Sequence, residues 1–296
     1  MKSVKALFVG LNTVDLQFFV EGYPEANSKT KAHRNEIAAG GPATNAAIIC
    51  AQLGAETTLL SPVGKHSLSR FLFDDITRHG VKVLDPIENI ESKPVFASII
   101  TDEINGDRTV FSYHPESNYE EVIKELQIAD LEKYSIALFD GFYPDLAIPL
   151  AKHFQKQGIT TVFDGGSWKP GIDELLCYID IAICSDDFTP PESSSKQDLF
   201  RVLKEKGCKH IAITRGENSI LCTDKNQVVE IPVSPVEVTD TLGAGDFFHG
   251  AFCYYYAKSG NFQASLSNAS KVAGNSCRFH GTRTWLEEIR EVKNLI

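Results

Sequence analysis

The residues of this chain best suited to chemistry are Asp240-Thr241-Leu242-Gly243-Ala244-Gly245-Asp246, which join a glycine-rich turn to a carboxylate. Phe247 to Ala257 beyond them is apolar and aromatic, predicting a buried helix, while Gln227 to Val238 before them alternates and is rich in Val and Ile, predicting a strand. Gly243 to Gly245 would then deliver the chain into a helix N-terminus, where unpaired N–H groups and the positive end of the helix dipole favour an anion such as phosphate. A carboxylate at Asp246 would be repelled by that anion unless it has a task there, and the useful task is to take a proton from an attacking hydroxyl. The plainer alternative is a turn followed by a helix cap. A second segment, Gly40-Gly41-Pro42-Ala43-Thr44-Asn45, sets a diglycine before a small-residue helix, Ala43 to Leu53, which Gly54 can end. Asn45 on its first turn offers donors and an acceptor to a ligand; the alternative is a tight turn feeding a closely packed helix.

The elements that must position these residues read as an α/β fold, with apolar strand-like runs alternating with helical ones. Lys5 to Val9, Thr57 to Val63, Ser135 to Phe139, Thr160 to Phe163, Ile179 to Cys184 and His210 to Thr214 are expected strands, with Asp145 to Gln157 and Ser195 to Lys206 among the helices. Short turns at the strand ends would line one sheet edge, where ligands bind in such folds. Leu16 to Glu36 and Lys93 to Tyr113 break the pattern, alternating apolar and polar residues around turn signals at Gly22-Tyr23-Pro24 and Asn105-Gly106-Asp107. They read as antiparallel hairpins that could form one small sheet, whose free edge would favour pairing with a second copy.

A chain of 296 residues, 43% hydrophobic, can bury a sizeable core, and its formal net charge of -10 disfavours nucleic acid or an anionic membrane as partner. No 18-residue apolar stretch and no leader at Met1 are visible, so a cytoplasmic protein is expected. Seven cysteines, an odd count without a C-x-x-C pair, are read as reduced and mostly buried. There is no zinc spacing, no G-x-x-x-x-G-K-[ST] phosphate loop, and no glycine triad after the first strand as a dehydrogenase would require.

Taken together, the two glycine segments resemble the ribokinase-like, or PfkB, carbohydrate kinases. The family's D-T-x-G-A-G-D signature is met at every fixed position by Asp240 to Asp246, and its early diglycine by Gly40 and Gly41 with Asn45. Gly10-Leu11-Asn12-Thr13-Val14-Asp15, Asn105 to Thr109 and Thr214-Arg215-Gly216 extend the likeness, while Val272 to Cys277 looks like the adenine-side helix of the ketohexokinase and fructokinase branch. The resemblance implies a three-layer sandwich with a mostly parallel central sheet and a small β-sheet lid. The body would comprise 1–15, 37–92 and 114–296, the lid 16–36 and 93–113, and two lids would pair in a homodimer.

The resemblance also implies roles. The γ-phosphoryl of ATP would pass to a primary hydroxyl of a small sugar, a ketohexose or derivative, with Asp246 as general base and Gly243, Ala244 and Gly245 as N–H donors to the phosphoryl group. Asp15, Gly40, Gly41, Asn45 and Arg108 would hold the sugar. Thr214 and Gly216 would lie near the nucleotide phosphates and ribose, and Asn268, Ala273, Gly274 and Cys277 near adenine. ATP would arrive with Mg2+, which needs few direct protein ligands; a monovalent cation such as K+ is common among relatives, though no ligand set for it is legible here. Many members have an N-x-x-E segment where this chain has Ser185-Asp186-Asp187-Phe188, and Asp186 or Asp187 could supply the acidic function. Gly41-Pro42-Ala43 and Phe247-Phe248-His249-Gly250 look more like bacterial kinases of fructose derivatives, including sulfofructose. Lys29 could face an anionic substituent or simply protect an edge strand. Two other readings stay open: a nucleoside kinase with a lid lined by Phe18, Phe19, Phe96 and Phe111, and a silent sugar or nucleotide sensor.

Overall fold

The computed structural model describes residues 3–104, 106–115, 133–224 and 227–289, so the expected turn residue Asn105 lies outside the described residues. Among those residues a nine-stranded sheet forms in the order β13-β12-β11-β10-β9-β8-β1-β4-β5. The strands are β1 (Lys5–Val9), β4 (Glu56–Leu60), β5 (Val81–Leu84), β8 (Ile136–Phe139), β9 (Thr160–Gly165), β10 (Ile181–Ser185), β11 (His210–Arg215), β12 (Asn218–Asp224) and β13 (Gln227–Ile231). Pairing is parallel from β5 to β11, and β12 and β13 add on antiparallel at one edge. Burial on both faces explains why the inner strands read as continuous apolar runs. In β1, Ala6 and Phe8 point into one core and Leu7 and Val9 into the other.

The first core packs α1 (Pro42–Gln52), α2 (Ser69–Arg78), α6 (Ala244–Ser259) and α7 (Phe262–Ser276) on one side of the sheet. On the other side lie α3 (Pro144–Gln157), α4 (Ile172–Leu175) and α5 (Lys196–Glu205). Fold and layers are those expected. The strand expected over Gln227 to Val238 stops at Ile231, because Pro232 and Pro235 carry no N–H for a ladder.

A second sheet orders β3 (Arg34–Gly40), β2 (Thr13–Val20), β6 (Val95–Asp102) and β7 (Arg108–Tyr113) side by side. β2 pairs antiparallel with β3 and β6 with β7, and a parallel β2–β6 ladder joins the two. Its strands start before Leu16 and continue past Glu36, taking in Thr13 to Asp15 and Ile37 to Gly40, residues read from sequence as part of the body. The ladder can extend that far because Thr13 pairs opposite Gly40, right up to the diglycine turn. Lys29 is exposed in the connection between β2 and β3, not on an edge strand.

Candidate active site

Helix α6 starts at Gly243, whose left-handed φ of 75° suits glycine, and no side chain caps it. The Ala244 N–H is used within the loop, donating to Thr241 O at 3.2 Å. The N–H groups of Gly245 and Asp246, in the first turn, have no intrahelical partner and are of the kind that can meet an anion. The backbone of Asp246 thus joins the expected donors Gly243, Ala244 and Gly245 at the helix start.

Asp246 accepts a hydrogen bond from Asn45 Nδ2 at 2.8 Å. Burial, reinforced by the nearby Asp164 carboxylate, pushes its carboxyl up to about 7, while the Asn45 bond and His249 act in the opposite direction. A base poised there loses its proton near neutral pH, the condition general-base catalysis favours. The Asn45–Asp246 contact spans helices α1 and α6, and Gly250 allows their close approach: a Cβ there would fall 2.1 Å from Ala46 O.

Asp15 projects from β2 into the same region. Its carboxyl is raised to about 6 by burial, against which the Thr13 hydroxyl bond and Arg283 work. Gly40 makes room for it, since a Cβ on Gly40 would lie 1.8 Å from Asp15 Oδ2. Gly41, with φ of 97°, backs onto Leu11 O at 2.4 Å from the position of its would-be Cβ. These contacts yield a separable prediction. Gly40→Ala displaces the end of a side chain, not backbone; on the expectation that Asp15 holds the substrate, KM for that substrate should rise roughly tenfold to a hundredfold, the loss expected of a charged hydrogen bond. The thermal midpoint should hardly move; a large drop in it with KM unchanged would contradict this account.

Arg108, on β7, reaches the signature loop: its Nη2 donates to Thr241 Oγ1 at 2.8 Å and its Nη1 lies 3.6 Å from Asp240 Oδ1. Asp240 is buried and also accepts from Leu242 N, Gly281 N and Gln17 Nε2. The first aspartate of the motif therefore locks the loop to the small sheet. Thr214 and Gly216 stand at the end of β11, where the Thr214 hydroxyl donates to Cys184 O. Asn268, Ala273 and Gly274 are half-buried on α7, and Cys277 closes that helix. The Cys277 carbonyl accepts from Thr239 N and Asp240 N, tying the expected adenine side to the signature loop.

Several residues of the site were not anticipated. Asp140 and Asp164, both buried, end β8 and β9 on the same sheet edge. Asp140 accepts from Leu11 N, Ala43 N and Phe142 N and so holds the β1 turn and the start of α1 together. The repeated Phe-Asp-Gly at 139–141 and 163–165 was the signal that could have found them. His249, one turn after Asp246, places its ring nitrogens 2.7 Å from Gly245 O and 3.1 Å from Ile183 O, with Asp164 Oδ2 at 3.4 Å. Arg283 reaches the site from beyond α7 and had no sequence signal.

Of the four phenylalanines read as lining an apolar lid, Phe19 shares the inward face of Asp15 and Gln17. Phe18, Phe96 and Phe111 pair in rows on the opposite face. In the altered Ser185 to Phe188 segment, Asp186 is engaged by Lys196 at 2.5 Å. Asp187 is exposed, and no side-chain ion pair is seen for it among the described residues. Among the described residues no group of three His, Cys, Asp or Glu side chains is arranged to hold a metal ion.

The model of the pfkB family carbohydrate kinases matches residues 4–289. The chain belongs to this family. This kinase is therefore a phosphotransferase with an alcohol group as acceptor. It is 25% identical to a deoxyribokinase from Salmonella typhi over 306 residues, covering 96% of this chain and 95% of that protein. It is 22% identical to ketohexokinase from Mus musculus, covering 95% and 98%. In structure it matches ribokinase from Arabidopsis thaliana complexed with ribose and ATP, with a TM-score of 0.73, 17% identity, and 99% of each chain covered.

Proposed function

We propose that this kinase transfers the γ-phosphoryl of ATP to a primary hydroxyl of a small sugar, a ketohexose or ketohexose derivative. The observation that carries the reading is the pairing of Asp246 with Asn45 at the open N-terminus of α6, with Asp15 close by on the small sheet. Asp15, Gly40 and Gly41 bind and orient the sugar. Asp246 takes the hydroxyl proton as the oxygen attacks the γ-phosphorus; the bond to the β–γ bridging oxygen breaks and ADP leaves. The N–H groups of Gly245 and Asp246 stabilise charge on the transferred group. Magnesium arriving with ATP would neutralise phosphate oxygens, and Asp187 would meet its water shell. Thr214 and Gly216 serve the nucleotide phosphates, and Asn268, Ala273, Gly274 and Cys277 the adenine. Phe18, Phe96 and Phe111 face away from Asp15, which favours a sugar over a purine nucleoside.

The small sheet acts as a lid and as a dimer contact. Its outer face exposes Ile37, Phe111 and Tyr113, each at least half accessible, an apolar surface that a second copy would cover. Phe111→Glu should convert a dimer to a monomer by light scattering; a wild-type monomer would remove the proposal. The free cysteines, all buried except Cys177, suit a reducing cytoplasm.

The test of function is ADP release across fructose, sulfofructose, tagatose, ribose, deoxyribose, adenosine and inosine, with magnesium and with or without potassium. Turnover on a ketose is expected. Activity confined to nucleosides or to pentoses would overturn the substrate assignment, and silence with every acceptor would favour a sensor.

A further inference from the structure

Arg283 lies just before a short 3-10 helix, Thr284–Glu287, yet its guanidinium ends among residues from the first quarter of the chain. Its side chain is 15% exposed. Nη1 donates to Asn45 Oδ1 at 3.0 Å, Nη2 donates to the Ala39 carbonyl beside the diglycine, and Nε lies 3.7 Å from Asp75 Oδ2. Asn45 in turn donates from Nδ2 to Asp246 Oδ2 at 2.8 Å.

We propose that Arg283 is a positioning residue for phosphoryl transfer, fixing the Asn45 amide so that its NH2 must face Asp246 while its charge serves both sugar-site carboxylates, Asp15 and Asp246. The inference rests on the reading of Asp246 as general base.

The argument begins with donor counting. An asparagine amide has two nearly isosteric ends, and rotation by half a turn would present its oxygen to Asp246. Two acceptors would then face each other in a half-buried site. A guanidinium has only donors, so the amide oxygen must point to Arg283 and the NH2 to the carboxylate. With Oδ2 of Asp246 held in this way, Oδ1 is left for the substrate hydroxyl. Lysine could not reproduce the arrangement, because the planar fork engages Asn45 and Ala39 O from one rigid group.

Charge supplies the second half. Asp75, Asp15 and Asp246 all act on the Arg283 guanidinium. Asp75 on α2 also pairs with Arg78 at 2.8 Å, and His79 lies 3.9 Å from it. Around Asp246 the further charged groups are Asp164 from β9, Asp140 from β8 and His249 from α6 itself. In a neighbourhood so rich in carboxylates, a buried cation bonded to Asn45 favours ionised Asp15 directly, and ionised Asp246 both directly and through the amide.

The experiment needs no turnover for its first readout. Protein labelled with 13C at aspartate carboxyls is titrated by NMR, with the Asp246 signal assigned by its loss in Asp246→Asn. Arg283→Met should move the Asp246 midpoint upward by roughly one pH unit, and Arg283→Lys should recover most of that shift. An unmoved midpoint in folded Arg283→Met overturns the proposal. If Arg283→Met does not fold, Arg283→Lys carries the test through kcat. It keeps the charge but not the fork, and should lower kcat roughly tenfold while leaving the midpoint near wild type. The second readout is a double-mutant cycle. The kcat loss of Arg283→Lys, which keeps the charge, should largely vanish in an Asn45→Ala background if the fork acts through Asn45; equal losses in both backgrounds would mean it does not. A wild-type protein without turnover but with the expected titration would refute the kinase mechanism and with it the part of Arg283 in phosphoryl transfer, leaving only its hold on the Asn45–Asp246 pair.

Discussion

Asp246→Asn should lower kcat by roughly a thousandfold while ATP affinity is retained, the loss expected when a positioned general base is removed. Asparagine keeps the size and can still meet Asn45, so the α6 N-terminus and its free N–H groups remain. The same variant has a stability signature. The Asp246 carboxyl titrates at about 7 in the folded protein against 3.8 as the ordinary value. Between these two pH values the folded state holds a proton that the unfolded state has released. The wild type therefore loses stability as pH rises through that window, and above it carries the full penalty of an ionised, poorly solvated carboxylate. A neutral amide in its place carries no such penalty. The variant should thus melt higher than wild type at pH 8, and this advantage should fade as pH falls toward 4. Calorimetry across pH together with steady-state kinetics decides it: full activity in the variant ends the general-base assignment, and a lower melting point at pH 8 ends the electrostatic one.

Gly250→Ala should be damaging in both stability and rate, although it adds one methyl group. That methyl would sit 2.1 Å from Ala46 O and 2.8 Å from Ala46 Cα, atoms of the α1 backbone that no side-chain rotation can clear. The two helices must separate, at a cost of about 3 kcal/mol, the upper end for overpacking, or about 6 °C in melting temperature for a chain of this size. Ala46 follows Asn45, and Gly250 lies one turn beyond Asp246 on α6. Separation at this contact also stretches the 2.8 Å Asn45–Asp246 bond. We expect kcat to fall more than tenfold, in line with the sensitivity of catalysis to displacements near 1 Å. Unchanged melting and unchanged kcat would show that the helix contact does not set the geometry of the base.

Gly40→Ala and Gly250→Ala make the same chemical change with opposite expected consequences. At Gly40 the obstructing atom is a carboxylate at the end of a side chain, so function suffers. At Gly250 it is a carbonyl within a helix, so the fold suffers as well. No pattern of residue types distinguishes these two glycines; their neighbours do.

Much of the architecture was legible because it is local. The first strand, Lys5 to Val9, has the expected limits and the helix at Gln157 the expected end, since burial on both faces of a parallel strand and a glycine at a helix end leave clear marks in sequence. The excess length assigned to β13 came from weighing Val and Ile above Pro232 and Pro235. The strands of the small sheet run beyond their sequence-expected limits because Gly40 ends a strand and begins a turn at once. Within the site, the signature segment declared its own geometry: a positive-φ glycine followed by an uncapped helix start is set by immediate neighbours. Asp246 at an open N-terminus therefore follows from sequence. Its partner does not. Asn45 meets Asp246 only because α1 packs against α6, and Arg283 meets Asn45 only because the chain returns across that packed pair after α7. Which carboxylate is pushed up toward neutral pH was decided by tertiary structure, since its burial and the nearby charge of Asp164, and the opposing hydrogen bond from Asn45, are supplied by residues distant in the chain.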